Sequence, residues 1–197
     1  IPWFSPFCKP AIYLYPEKTS QVSVKVNPVG PFTYTTPLYT PGGWNVTALP
    51  DGTIISNNTK IPYVYSEADI PSLLITKPQE GFVVKGSDVS KTLYDMLPKL
   101  GLNTKETQEM ADYWQKSLPE SAYYFIGVIP EKILDSVAPL DINPKPATTI
   151  RVALYFEAQE NETHTTKPVL AGKTRTGFTA VEWGGILKTN KPFTCLQ

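Results

Sequence analysis

Apolar and polar residues alternate along much of the chain in short runs bounded by proline, asparagine and glycine, a period of two that belongs to half-buried strands. Gln21 to Val26 is the clearest case: Val22, Val24 and Val26 share one face, and Asn27-Pro28 ends the run. Ala11 to Tyr15, Phe32 to Thr36, Trp44 to Leu49, Thr53 to Ile55 and Ile61 to Ala68 continue the pattern, with Pro50-Asp51-Gly52 as a tight hairpin turn. Within these runs Tyr13 and Tyr15 fall on one strand face, as do Tyr63, Tyr65 and Glu67.

The period then changes. Val89, Leu93, Met96, Leu97 and Leu100 recur at helical spacing between a candidate cap, Ser87, and a stop at Gly101, with Pro98 weakening the last turn. Asn103 with Glu106 three residues on forms a capping-box pattern for a second helix, which carries Met110, Tyr113, Trp114 and Leu118 on its apolar face. Strand signals return in Ala122 to Ile129, Thr148 to Ala158 and Phe178 to Leu187, with a short helical segment at Glu131 to Val137. Gln159 to Arg175 is polar and predicts an exposed hairpin loop. The expected fold is α+β, mainly antiparallel β and sandwich-like, with an inserted two-helix hairpin at about 87–118, in a single domain over residues 1–197.

Composition narrows the setting. The only cysteines, Cys8 and Cys195, stand near opposite ends of the sequence, and a bridge between them points to an oxidising compartment. Asn45, Asn57 and Asn161 each begin an acceptor sequon for glycosylation, and the sequence starts at Ile1 as a processed chain would, so a secreted or extracellular glycoprotein is expected. Eighteen basic residues balance eighteen acidic ones and only Arg151 and Arg175 are arginines, which disfavours nucleic acid as a partner. No apolar run approaches the length of a membrane span. With one histidine, His164, in a polar loop and both cysteines assigned to a bridge, no metal site of the usual kind is expected.

Three blocks carry a resemblance: Lys9-Pro10-Ala11-Ile12-Tyr13-Leu14-Tyr15-Pro16, then Gly43-Trp44-Asn45-Val46-Thr47-Ala48 with Pro50-Asp51-Gly52, then Val181-Glu182-Trp183-Gly184-Gly185. In this order they resemble a family of uncharacterised extracytoplasmic domains of bacteria and fungi. Phe82 to Gly86 and Leu100 to Trp114 are similar to its middle blocks, and Ser66 before Glu67 departs from its pattern, where an aromatic is usual. The resemblance implies no activity.

Chemistry is therefore sought in aromatic and acidic side chains. If the tyrosine strands are neighbours and Trp183 joins them, Tyr13, Tyr15, Tyr63, Tyr65 and Trp183 line a ligand site with Glu67 or Glu182 at its rim and Lys85 as a possible partner for an acid. Gly184-Gly185 beside Trp183 predicts close approach of backbone or ligand. The leading expectation is a non-catalytic protein binding a small aromatic molecule, a pigment (an organic chromophore) being the natural case. A carbohydrate-binding or cell-wall-associated module is the alternative, and a glycoside hydrolase using two of Glu67, Glu157 and Glu182 is a third. Oligomeric state is not set by the sequence.

Overall fold

The computed structural model describes residues 4–197; Ile1, on which the expectation of a processed start rests, lies outside the described residues. In chain order come β1 (Phe4–Tyr15), β2 (Ser20–Val26), β3 (Phe32–Thr36), β4 (Trp44–Ala48), β5 (Ile54–Ser56), β6 (Thr59–Ile61), β7 (Val64–Pro71) and β8 (Phe82–Lys85). The helices α1 (Val89–Met96) and α2 (Thr104–Ser117) follow, then β9 (Tyr123–Val128), α3 (Glu131–Val137), β10 (Leu140–Asn143), β11 (Thr148–Gln159) and β12 (Thr179–Lys188). The result is the expected β-rich α+β fold.

The strands form a seven-stranded sheet, β3-β7-β1-β12-β11-β9-β8, and a five-stranded sheet, β10-β2-β4-β5-β6. Strand parity fills the space between them. Ile12 and Leu14 of β1, Val22, Val24 and Val26 of β2, and Trp44, Val46 and Ala48 of β4 meet there, together with Ala153, Tyr155 and Ile186. The other face of the large sheet packs against α1 and α2 through Leu93, Met96, Met110 and Trp114, which meet Tyr124, Phe156 and Trp183. Both faces of the large sheet are thus covered, giving three layers.

Local chemistry sets the element ends. Asn103 accepts from the Glu106 backbone N–H at 2.9 Å while the Glu106 carboxylate accepts from the Asn103 N–H, the reciprocal box expected for α2. The first helix stops at Met96, before Pro98, and Gly101 at φ 99° closes the turn that follows. Ser87 is not the cap: it sits in a 3-10 turn, Gly86–Asp88, and α1 begins after Asp88 with no side-chain cap. Gly52, at φ 89°, closes the turn after β4 with its N–H donated to Leu49 O, and a Cβ there would lie 2.6 Å from the Tyr15 ring.

Two expectations are corrected. β1 extends back to Phe4 through Pro6 and Pro10: a bulge between Cys8 and Ala11 absorbs Pro10, while Pro6 stands in register opposite Asp69 of β7. The Gln159–Arg175 segment is not a hairpin loop, since β11 and β12 are adjacent and run parallel, Thr148 opposite Thr179, so the chain must run back along the length of the strands between them. This crossover contains no helix. It is pinned by Arg175 donating to Gly101 O at 2.9 Å, by Lys173 donating to Thr149 O at 2.8 Å, and by the Thr148 hydroxyl donating to Thr176 O at 2.9 Å.

Cys8 and Cys195 are joined, 187 positions apart in sequence. A loop of this length loses much chain entropy on closure, so the Cys8→Ser/Cys195→Ser variant is expected to lose about 2–5 kcal/mol of stability. Urea unfolding of the two forms without reductant measures the difference, and reductant should remove it.

Candidate functional site

The register of β1 assembles the site. Ala11 stands opposite Tyr65 of β7 on one side and Trp183 of β12 on the other, so the tyrosine strands are neighbours and Trp183 joins them as expected. Tyr13 and Tyr15 follow on the same face. Their rings lie parallel within 3° at 6.4 Å, Tyr13 to Tyr63 is 5.1 Å, Tyr63 to Tyr65 5.9 Å, and Tyr65 to Tyr34 of β3 5.4 Å. Tyr13, Tyr65 and Trp183 are buried, whereas Tyr15, Tyr34 and Tyr63 are half-buried, so buried and half-buried rings alternate along this tyrosine step from β3 to the α2 interface.

Helix α2 supplies acids to this step. The Tyr13 hydroxyl donates to Glu109 and accepts from the Trp183 indole N–H at 3.0 Å; the Tyr15 hydroxyl donates to Glu106 at 2.7 Å. Arg175, from the crossover, forms an ion pair with the fully buried Glu106 and lies 5.5 Å from the Tyr15 ring centre. Burial first, and then the neighbouring carboxylate, pushes both phenols far above their usual range, so they remain neutral donors at any physiological pH. Sequence reasoning took Glu106 only as a cap and missed Glu109, three residues and one face further on; their spacing on an amphipathic helix is the signal that would have found both.

At the other end stand Lys9 and Glu67. Lys9 takes φ 53°, within the β1 bulge, and its Nζ lies 3.6 Å from the Tyr65 ring centre and 5.1 Å from that of Tyr63. Glu67 is 3 % exposed, and its Oε1 has no hydrogen-bond partner. Burial raises the Glu67 carboxyl above the ordinary carboxylate range, against the pull of the Lys9 charge and hydrogen bonds from Gln197 and the Lys9 backbone. Burial likewise lowers the Lys9 ammonium, opposed by Glu67 and Glu109. Lys9 was not among the expected site residues.

Other expected members lie elsewhere. Glu182 is adjacent to Trp183 in sequence, so the pleat turns it to the opposite face, into the space between the sheets. There its Oε2 accepts from Arg151 Nε at 2.6 Å, while Arg151 also donates to Asp135 of α3 and to Ala138 O. Burial opposes the Arg151 charge, but Glu182 and Asp135 overcome it and raise its pKa. Lys85 is exposed on β8, five strand spacings from β7 and roughly 24 Å away. Gly184 and Gly185 make room for protein, not ligand: a Cβ at Gly185 would meet Leu154 O at 2.5 Å and Trp114 at 2.7 Å.

The three candidate acids of a hydrolase do not converge. Glu67 and Glu182 face opposite sides of the sheet, and Glu157, ion-paired with Lys77, stands six strand positions from Arg151, roughly 20 Å along β11. Paired carboxylates that flank one glycosidic bond need separations of only about 5–9.5 Å. Among the described residues no group of three metal-ligating side chains gathers, and no helix is long and apolar enough to cross a membrane. Clefts of about 450 Å3 beside Ser87 and Tyr124, and about 520 Å3 between Phe4 and Phe193, are not lined by the tyrosine step. Asn45, Asn57 and Asn161 are all exposed: Asn45 on the outward face of β4, Asn57 in the β5–β6 turn, Asn161 in the crossover.

Removing Arg151 alone leaves the buried Glu182 without its cation. Arg151→Met is therefore expected to cost about 3–5 kcal/mol, and the double variant with Glu182→Leu to recover much of it, read by chemical unfolding. The folded protein holds the Glu67 proton more tightly than the unfolded chain does. Its contribution to stability is therefore greatest at acid pH and falls as pH rises from the ordinary carboxylate pKa through the raised one. Glu67→Gln should abolish this slope, making the variant relatively more stable at pH 7 than at pH 4, as paired unfolding curves at the two pH values would measure.

Comparison of the chain with protein-family models, with curated proteins and with solved structures finds no match, so the reading of this site rests on its geometry.

Proposed function

We propose that the chain is a non-catalytic, secreted binding protein that holds a small aromatic or conjugated molecule, such as an organic pigment, against the tyrosine step. The observation that carries this reading is the run of rings from Tyr34 through Tyr65, Tyr63 and Tyr13 to Tyr15, with the Tyr13 and Tyr15 hydroxyls held by α2 and the unpartnered Glu67 oxygen at the Tyr65 end. Rings already locked by packing and hydrogen bonds stack on a planar ligand with little further loss of side-chain freedom. The disulfide and the exposed sequons suit an extracellular setting. The chain's size and the family its sequence blocks resemble are also similar to those of a pigment-carrying pink chromoprotein of an edible mushroom.

A second reading is favoured by the half-exposure of Tyr15, Tyr34 and Tyr63: flat rings open to solvent also serve as platforms for the apolar faces of sugars.

The protein from its natural source is expected to absorb beyond the aromatic ultraviolet band and to lose a small molecule between native and denatured mass spectra. Tyr63→Ala and Tyr15→Ala should each weaken binding by about tenfold, the worth of one stacked ring. A colourless protein whose native mass equals chain plus glycans, and which is retained on polysaccharide columns, would overturn the pigment reading in favour of the sugar platform.

A further inference from the structure

Lys9 differs from the other lysines in what surrounds it. Its backbone is locked between the disulfide-bonded Cys8 and Pro10 in a left-handed conformation that an unbranched residue rarely adopts, and the bulge so formed lays the side chain over the Tyr65 and Tyr63 rings. By contrast, Lys173 is ion-paired with Glu131, and Lys77, though it lies over the Phe125 ring, is neutralised by an ion pair with Glu157. The charges of two acids from different elements, Glu67 of β7 and Glu109 of α2, act on Lys9, the Glu67 carboxylate accepts a hydrogen bond from the Lys9 backbone, and the buried Glu67 Oε1 has no partner. An amine half-buried among aromatic rings, with a carboxyl group at hand, is the constellation that imine chemistry requires.

We propose that Lys9 is a covalent attachment point, its ε-amine condensing with the aldehyde of a conjugated or aromatic ligand that lies on the Tyr63–Tyr65 end of the tyrosine step. The proposal rests on the binding function above and adds a bond to it. The neutral amine attacks the carbonyl carbon, and one nitrogen proton passes to the oxygen to give a carbinolamine. That hydroxyl then leaves as water with a proton from the Glu67 carboxyl, the C=N bond forms, and the cationic imine faces the resulting Glu67 carboxylate. One amine and one aldehyde yield one imine and one water, with no change of oxidation state. The lowered basicity of Lys9 and the raised pKa of Glu67 favour the free amine and the protonated acid that these steps use.

The test uses the full chain and cinnamaldehyde, with borohydride to trap the imine and peptide mapping to place it. One adduct per chain is expected, at Lys9, formed faster near neutral pH than at any other lysine, because burial leaves this amine less basic and more often free to attack. Lys9→Arg keeps a cation over the rings and should fold with unchanged thermal stability but form no such adduct. Labelling spread over exposed lysines, or a dominant adduct elsewhere, overturns the proposal, and mapping of the unaltered protein decides this without any variant. Cinnamyl alcohol, which cannot condense, separates the two ideas. If it quenches tyrosine and tryptophan fluorescence while the aldehyde leaves Lys9 unmodified, binding stands and attachment fails; if neither engages, both fail.

Discussion

The register of β1 is the constraint on which the rest depends. Its alternate side chains serve two cores at once: Ile12 and Leu14 close the space between the sheets, while Ala11, Tyr13 and Tyr15 face the helices. A slip of one position would exchange these sets and put phenol hydroxyls among aliphatic side chains with no acceptor in reach. β12 pairs with β1 along Ala11 to Tyr15, so Tyr13 and Tyr15 stand on hydrogen-bonded strand backbone, held more firmly than residues on a loop.

The chain's two arginines are both internal clamps. Arg151 ties α3 to the β11–β12 pair on one face of the large sheet, and Arg175 ties the crossover to the start of α2 on the other. Each uses several guanidinium donors on different acceptors, a geometry lysine cannot reproduce. Lysine is kept for the surface and for Lys9, where a single adjustable charge over two rings is what the site accommodates.

Where one face of an element is buried, its pattern was legible from the residues alone. Val22, Val24 and Val26, the Asn103–Glu106 cap and the helical apolar positions around Leu93 and Trp114 all took their places because burial repeats with the element's own period. Strand direction was not legible: the polarity of the segment after Gln159 is the same whether the chain turns back or crosses over. Neither was the neighbourhood of Glu182, whose proximity to Trp183 in sequence concealed the half-turn of the pleat between them. Lys9 and Glu109 escaped notice because their importance arises from a bulge and from the docking of α2 on the sheet, and both are long-range consequences. Pro6 and Pro10 hid the first half of β1 for a related reason, since proline breaks strands in general but is tolerated at a bulge, as at Pro10, and near a strand's start, as at Pro6.

The Cys8–Cys195 bond makes the enclosed chain a covalent ring, and the exposed crossover between β11 and β12 is a segment of that ring. A protease that cuts the crossover once therefore releases no fragment; it converts the ring into a permuted but still continuous molecule, with β11 and β12 joined through the sulfur bridge. The tyrosine step would persist through such a nick. Wherever proteases meet the folded chain, that topology protects against loss of parts even where it does not prevent cutting.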